Sequence, residues 1–271
     1  MSAYWAVLVT SLKRLARTGW YPLLIGAGLV VSAIVGAVAA TRHGGARLDA
    51  FQGGAVSLLL LGGLVAALAC GASALNRDGD GGHFGVLVGA GMRRAALTGA
   101  ALSARALALA AIVVIWGAGL QIASALLGLG LDGDLALHTL LVGEALLLTG
   151  AAAAAASSAV GRTAAAIFAL AVFLTAQAIV NLKAAADQDL IGSARSGVDG
   201  AYGILPHIPT SPLISDLQAR GVGGPAIPRI THNGNEAVLT ASGWGTVLVT
   251  LVWVALFALL AHAGMRRRPL A

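Results

Sequence analysis

The sequence has little charge, few aromatic residues and almost no cysteine. Of its 271 residues, 10% are charged, 5% are aromatic and 58% are hydrophobic. Soluble domains ordinarily carry about 25% charged residues, so the composition argues against a soluble enzyme. The single cysteine, Cys70, lies inside an apolar run. It excludes an intrachain disulfide and is expected to be a small packing residue.

Several motifs of catalysis and ligand binding are also missing. The sequence contains no GxxxxGK[ST] phosphate loop and no Gly-x-Ser-x-Gly nucleophile motif. Its six histidines show no HxxxH spacing and have no cysteine nearby, so neither a catalytic residue nor a metal site is expected. The formal charge of +6 comes from basic residues scattered at the ends of apolar runs. That distribution argues against nucleic acid as a partner.

What the sequence does have is a series of apolar runs long enough to cross a lipid bilayer. About 20 helical residues span a hydrocarbon core of about 30 Å, and a composition rich in Ala, Leu, Val and Gly favours closely packed helices over a β-barrel. We therefore predict one all-α transmembrane domain over residues 1–271. Its six spans are expected at about 22–40, 55–75, 102–127, 135–156, 164–182 and 244–263. The first run ends in Ala37-Val38-Ala39, a passable cleavage signal, but its length and the later spans favour a membrane span over a signal peptide.

Residues 3–18 predict an amphipathic helix lying on the membrane surface. Its apolar face consists of Trp5, Leu8, Val9, Leu12 and Leu15, and its polar face of Thr10, Lys13, Arg14 and Arg17. With six spans, eleven Lys and Arg residues fall on the side of the termini and six on the other side. Because positive residues accumulate on the cytoplasmic side, both termini are predicted to be cytoplasmic.

The segment between spans two and three, residues 76–99, is more than a simple turn. It begins with the acidic, glycine-rich stretch around Asp78 and Asp80, continues with an apolar patch over 84–88, and ends in the pair Arg93 and Arg94. The carboxylates are suited to the start of a short helix, and the arginines to anchoring its end at lipid headgroups or on an acidic partner. Such a helix could also lie at the interface without any partner.

This segment resembles the one that follows the second span in permease subunits of ABC-2-type transporters. The family pattern runs acidic-Arg-acidic, one residue, Gly-Thr, an apolar run ending in a small residue and Pro, then Arg, and later Gly-Lys. The positions that match are Asp78, Asp80, Gly82, the run 84–88, Arg94 and Gly99. Those that depart from the pattern are His83 for threonine, Gly91 for proline and Ala100 for lysine. The order of surface helix, six spans and long outer loop is also similar.

The resemblance implies a transport function without chemistry on this chain. In the family the segment is a coupling helix that sits in a groove of a separate ATPase subunit. ATP and Mg²⁺ would then bind the partner, and this chain would bind no cofactor and would not itself be an enzyme. Two permease protomers, identical or different, would form an exporter in a bacterial inner membrane. The expected coupling residues are Asp78, Asp80, Gly82, Phe84, Leu87, Arg93 and Arg94.

Other polar and proline residues are candidates for the transport path. Glu144 lies inside the fourth span, where an ionised carboxylate is costly and marks a functional site by default. Gln121, Gln177 and Asn181 are milder polar residues that could bond between helices or contact cargo. In the long loop 183–243, the resemblance assigns an outer gate to Pro206, Pro209 and Pro212. The alternative is that this loop is only a spacer between two spans. A different class of function also remains open: an ion-coupled carrier that uses Glu144, or a membrane scaffold.

Overall fold

The computed structural model describes residues 3–75, 83–89, 91–131, 133–187, 192–206 and 243–267. Within these ranges the chain is helical and forms no strand. The elements in chain order are α1 (Ala3–Arg17), α2 (Trp20–Ala40), α3 (Gly45–Ser57), a π-helical turn (Leu58–Gly62), α4 (Gly63–Ala72), α5 (His83–Gly89), α6 (Arg94–Leu126), α7 (Gly133–Ser157), α8 (Arg162–Asp187), a 3₁₀ turn (Gly192–Ala194), α9 (Arg195–Ile204) and α10 (Gly243–Arg267).

Six helical stretches are long and apolar enough to cross a membrane, which confirms the predicted fold class. They are Trp20–Ala40, Ala46–Ala72, Arg94–Leu126, Thr139–Ser157, Arg162–Ile179 and Val247–Arg267. Large apolar side chains such as Leu23 and Val252 are exposed on the outside of the bundle. An apolar surface of this kind is suited to contact with lipid tails rather than water.

Two of the spanning helices begin earlier than hydropathy indicates. α3 begins at Gly45, well before position 55, because its first turns carry Arg47, Asp49 and Gln52 and are too polar to register as a span. Gly44, with φ 59°, provides the sharp reversal before it, a conformation that favours glycine. α6 begins at Arg94 rather than near 102, so the end of the segment 76–99 is part of the third spanning helix.

The second span changes its winding near its middle. Residues Leu58–Gly62 form a π-helical turn between α3 and α4, and such turns are rare single-turn interruptions of α-helices. A Cβ on Gly62 would lie 2.9 Å from Cζ3 of Trp116, and one on Gly63 would overlap Cδ1 of Leu146. The turn therefore brings the backbone of the second span directly against side chains of α6 and α7.

Small residues line the contact between α2 and α6. The buried residues of α2 are Gly28, Ser32, Gly36 and Ala39, which recur about every four positions and so share one helical face. A Cβ on Gly36 would be only 3.3 Å from Cβ of Ala123 in α6. Close approach of this kind is how helices gain packing energy in lipid, where no water is expelled between them.

α7 lies at the centre of the bundle and contacts α4, α6, α8 and α10. Val142 and Leu146 belong to a cluster shared with α6 and the second span, whereas Ala145 and Leu148 belong to one shared with α8 and α10. Gly71 of α4 lies so close to α7 that a Cβ there would overlap the carbonyl oxygen of Gly150. The fourth span is therefore surrounded by other helices on several faces.

α1 packs along the first turns of α6. Val7, Leu8 and Leu15 are buried, and the hydroxyl of Tyr4 donates a hydrogen bond of 2.8 Å to Oγ of Ser103. Trp5, expected on the apolar face, is 55% exposed, because the face that meets α6 is centred on residues 7 and 8 instead.

Candidate functional site

One end of the bundle is strongly basic. α1, the start of α6, the start of α8 and the end of α10 meet there, and a shared apolar cluster holds residues of α1, α6 and α10 together. The basic residues described at this end are Lys13, Arg14, Arg17, Arg93, Arg94, Arg162, Arg266 and Arg267, against Arg42, Arg47, Lys183 and Arg195 at the opposite end. None of the acidic residues within the described ranges lies at this basic end.

α5, the helical part of the segment between the second and third spans, lies against the basic end. Leu87, Val88 and Met92 pack on the apolar cluster, whereas Val86 is 71% exposed. The backbone of Phe84 also lies in α5. Asp78, Asp80 and Gly82, the other residues expected to couple, lie outside the described ranges. The helix thus has one face on the bundle and an apolar side chain directed away from it.

A tight turn joins α5 to α6. The amide of Gly91 donates to the carbonyl of Val88 at 2.9 Å, and the amide of Met92 to that of Leu87 at 3.1 Å. Gly91 has φ 86°, a conformation closed to proline, whose ring fixes φ near −65°. The turn therefore favours glycine at position 91 and excludes proline there.

The cluster beneath α5, which we call the coupling cluster, connects it to most of the bundle. Its buried members are Val7, Leu8, Ala74, Leu75, Leu97, Ala100, Ala101, Ala154, Ala261 and Met265. These residues come from α1, the segment after α4, α6, α7 and α10. Leu87 and Val88 of α5 thus pack on a cluster that several spanning helices share.

Arg93 and Arg94 were expected to anchor the end of the short helix. In the structure they begin the third span instead. Arg93 is the N-terminal cap of α6 and Arg94 its first residue. They line a cleft of about 460 Å³ together with Ala95, His262 and Arg266. Nη1 of Arg94 donates a hydrogen bond of 3.0 Å to the carbonyl of Arg266. His262 and Arg266 are far away in the sequence, and no spacing rule points to them.

Glu144 is buried inside the fourth span, far from α5 along the bundle. It is 9% exposed, and its Oε1 has no hydrogen-bond partner among the residues that the structure describes. Gln121 and Gln177 are half-buried on α6 and α8, and Asn181 lies further along α8. Within the described ranges, no three His, Cys, Asp or Glu residues come together in a group that could hold a metal ion.

At the opposite end, α9 is held against the spans by polar contacts. Nε1 of Trp253 donates a hydrogen bond of 2.7 Å to the carbonyl of Ile204, and Nζ of Lys183 lies 2.9 Å from Oδ1 of Asp199. Pro206 is buried directly after α9. Pro209 and Pro212, the other residues predicted to form an outer gate, lie outside the described ranges.

No protein-family model matches the sequence, and no curated protein matches it.

Proposed function

We propose that the chain is the membrane-spanning permease subunit of an ABC exporter, in which a separate ATPase subunit hydrolyses ATP and this chain moves the cargo. The observation that carries the proposal is the position of α5. It is a short helix between two spans, packed through Leu87 on the coupling cluster and presenting Val86 outward. A partner that binds α5 would thereby act on α1, α6 and α10 together.

The coupling works through rigid contacts between helices. Closure of the ATPase around ATP and Mg²⁺ would push α5 against the coupling cluster, and the second and fifth spans would tilt so that a path opens on the far side. A ligand can shift such an equilibrium only by its different affinity for the two states, so the free energy comes from the nucleotide cycle of the partner. The residues of this chain transmit the movement and bind neither nucleotide nor Mg²⁺.

The charge distribution supports a bacterial inner membrane protein with both termini in the cytoplasm. Positive residues are retained on the cytoplasmic side, and the basic end carries α1, α5 and the end of α10. α1 would lie at the cytoplasmic membrane surface, with Lys13 and Arg17 exposed to headgroups. A second permease protomer, the same or different, would complete the path.

The proposal is tested by purifying the tagged full-length chain from its native membrane in mild detergent. We expect an ATPase subunit to co-purify in stoichiometric amount. Val86→Asp should abolish its association, because the substitution places a carboxylate on the exposed face of α5 without disturbing the coupling cluster. Leu131→Asp is the matched control, since Leu131 is 82% exposed at the opposite end of the bundle.

Two results would contradict the proposal. One is an intact chain that co-purifies with no ATPase under conditions where it stays folded. The other is an ATPase whose association is reduced equally by Val86→Asp and Leu131→Asp, because the partner would then not recognise α5.

The buried carboxyl of Glu144 supports a second candidate, an ion-coupled carrier that works without an ATPase. A carboxyl inside a span, whose Oε1 has no hydrogen-bond partner in the described part of the chain, is suited to taking up a proton or a cation. In reconstituted vesicles, Glu144→Gln would abolish uptake driven by a proton gradient if the chain is a carrier, and would leave ATP-dependent transport of the complex in place if it is a permease. A membrane scaffold would show neither activity.

A further inference from the structure

Glu144 places a carboxyl group near the middle of α7. The residue is 9% exposed, and its Oε1 has no hydrogen-bond partner in the part of the chain that the structure describes. An ionised carboxylate at such a depth is costly unless a positive group pairs with it. The carboxyl is therefore suited to bind the positively charged part of a ligand.

Three spans meet next to Glu144, on the side of the basic end. Leu148 of α7, Phe173 of α8 and Phe257 of α10 belong to one buried cluster, which we call the three-helix cluster. Because these side chains pack on one another, the cluster shows which faces of the three helices are turned towards each other.

Each of these faces carries a polar residue further from the basic end. The polar residue lies one helical turn beyond Leu148 in α7, one turn beyond Phe173 in α8 and two turns beyond Phe257 in α10. Residues at these spacings share a helical face. The polar residues are Glu144, Gln177 and Thr250.

The packing of α7 on α10 places Glu144 and Thr250 at the same depth. A Cβ on Gly264 of α10 would overlap Oγ of Ser158, directly after α7. Glu144 precedes Ser158 by as many residues as Thr250 precedes Gly264. Gln177 follows the start of α8 by a similar helical length, roughly 20 Å at about 1.5 Å per residue. The three polar residues therefore lie in one layer of the bundle.

The chemistry of this layer fits a protonated primary amine. The carboxylate of Glu144, the amide oxygen of Gln177 and the hydroxyl oxygen of Thr250 are all hydrogen-bond acceptors. A protonated primary amine carries three N–H donors and a positive charge. An anion would be repelled by the carboxylate, and a calcium ion takes six to eight oxygen ligands.

A row of aromatic rings lies between this layer and the basic end. The ring centroid of Trp253 is 5.6 Å from that of Phe257, which is 6.2 Å from that of Phe168. Phe257 is buried, whereas Phe168 is 45% exposed, so the row leads from the inside of the bundle to its surface. Aromatic faces provide apolar contact area and attract cations. The row therefore suits a ligand with an apolar body beside its amine.

We propose that Glu144, Gln177 and Thr250 bind the protonated amine of a hydrophobic cargo, whose apolar body lies along the row of aromatic rings. The inference rests on the proposed export function and names the chemical class of the cargo, a primary amine with an apolar body.

The site is tested on the purified full-length chain, without any ATPase, by equilibrium dialysis of three labelled probes of similar size. Phenethylamine carries the charge and the three donors, its trimethylated derivative keeps only the charge, and phenethyl alcohol is neutral. We expect saturable binding of the amine, at least about tenfold tighter than that of the other two, because each charge-assisted hydrogen bond carries about one decade of affinity or more. Equal affinity for the trimethylated derivative would overturn the role of the three acceptors. Equal affinity for the alcohol would overturn the role of the carboxylate.

Substitutions locate the site. Glu144→Gln should weaken the binding of phenethylamine about tenfold or more, because it keeps the shape of the side chain and removes the charge. Gln177→Leu, which removes a neutral acceptor, should have a smaller effect. The matched control is Asp199→Asn, which removes a carboxylate that is 45% exposed at the opposite end of the bundle from α5. Unchanged melting temperatures establish that the variants are folded. An equal loss in Asp199→Asn and Glu144→Gln would overturn the proposal in favour of diffuse attraction.

The failure of this inference and the failure of the export function give different results. A chain that co-purifies with an ATPase but does not bind phenethylamine overturns the site alone. A chain that binds the amine and co-purifies with no ATPase supports the site and contradicts export. In the reconstituted complex, Glu144→Gln should raise the KM for the amine and leave ATP-dependent transport in place at saturating amine, because the other two acceptors remain. An unchanged KM would overturn the site.

Discussion

The indole of Trp116 lies against the backbone of Gly28, so closely that a Cβ at position 28 would overlap Nε1 and Cε2 of the ring. The ring also reaches Gly62 of the π-helical turn, where a Cβ would be 2.9 Å from Cζ3. Trp116 is 2% exposed, and its Nε1 has no hydrogen-bond partner among the described residues. One side chain of the third span therefore fills the space left by glycines of the first and second.

Gly28→Ala should lower the stability of the bundle. The added methyl group must displace a ring that is confined on several sides, and overpacking of this kind costs about 1–3 kcal/mol. We expect a lower melting temperature in detergent, measured by differential scanning fluorimetry. Gly26→Ala is the control, since a Cβ there meets nothing within 4 Å. Equal melting temperatures for the two variants would contradict the packing of Trp116 against Gly28.

Alanine substitutions at Gly71 and Gly150 are predicted to have different effects, although the two glycines face each other. A Cβ on Gly71 would overlap the carbonyl oxygen of Gly150 and lie 2.6 Å from Cβ of Ala153, and backbone atoms cannot move aside as a side chain can. A Cβ on Gly150 would make only ordinary contacts, the nearest at 3.6 Å to Cδ2 of Leu109. Gly71→Ala should therefore strongly reduce the yield of folded protein in size-exclusion chromatography, whereas Gly150→Ala should not. A similar yield for both would show that α4 and α7 are further apart.

Hydropathy was sufficient to predict the number of spans and the helical class, because both depend on the length and composition of apolar runs. It could not predict the π-helical turn or the contact between Gly28 and Trp116, since these depend on the rotation of each helix about its axis. It also placed the start of the second span too late, because the first turns of α3 contain the polar residues Arg47 and Gln52.

The candidate site was predictable only in part, because a local sequence pattern does not show which distant helices come into contact. The local pattern around Leu87 and Arg94 pointed to a short helix and a basic anchor, and both lie at the basic end of the bundle. His262 and Arg266 reach the same cleft only through the packing of α10 against α6, which no local pattern records. The coupling roles of Asp78 and Asp80 stay predictions.

Tyr4→Phe should loosen α1 from the third span. The substitution removes the hydrogen bond of 2.8 Å to Oγ of Ser103, which links helices distant in sequence, and such a bond contributes about 1 kcal/mol. We expect faster hydrogen exchange of α1 amides by mass spectrometry, and no further change when Ser103→Ala is added. Thr10→Val is the control, because that hydroxyl donates to the carbonyl of Ala6 within α1 itself. Faster exchange in the control as well would indicate a general loss of helicity.

Trp253→Phe should loosen the contact between α9 and α10. The bond from Nε1 of Trp253 to the carbonyl of Ile204 is 2.7 Å long, and phenylalanine keeps the apolar ring without the donor. The measurement is hydrogen exchange over residues 195–204, where we expect a clear increase. Lys183→Met should have a smaller effect, because the pair with Asp199 is partly exposed and such pairs contribute at most about 1 kcal/mol. The reverse order would mean that the ion pair, not the indole, holds α9.

The orientation of the bundle can be tested with single cysteines, because the chain has only one of its own. Cys70 is 2% exposed, so Cys70→Ala should provide a folded background with little change in packing. Lys13 of α1 and Ser196 of α9 are exposed at opposite ends. With a membrane-impermeant maleimide on intact spheroplasts, we expect Ser196→Cys to be labelled at once and Lys13→Cys only after permeabilisation. The wild-type chain, labelled only after denaturation, controls for reaction at Cys70. Labelling of Lys13→Cys from outside would place the basic end, and with it α5, beyond the reach of any cytoplasmic ATPase.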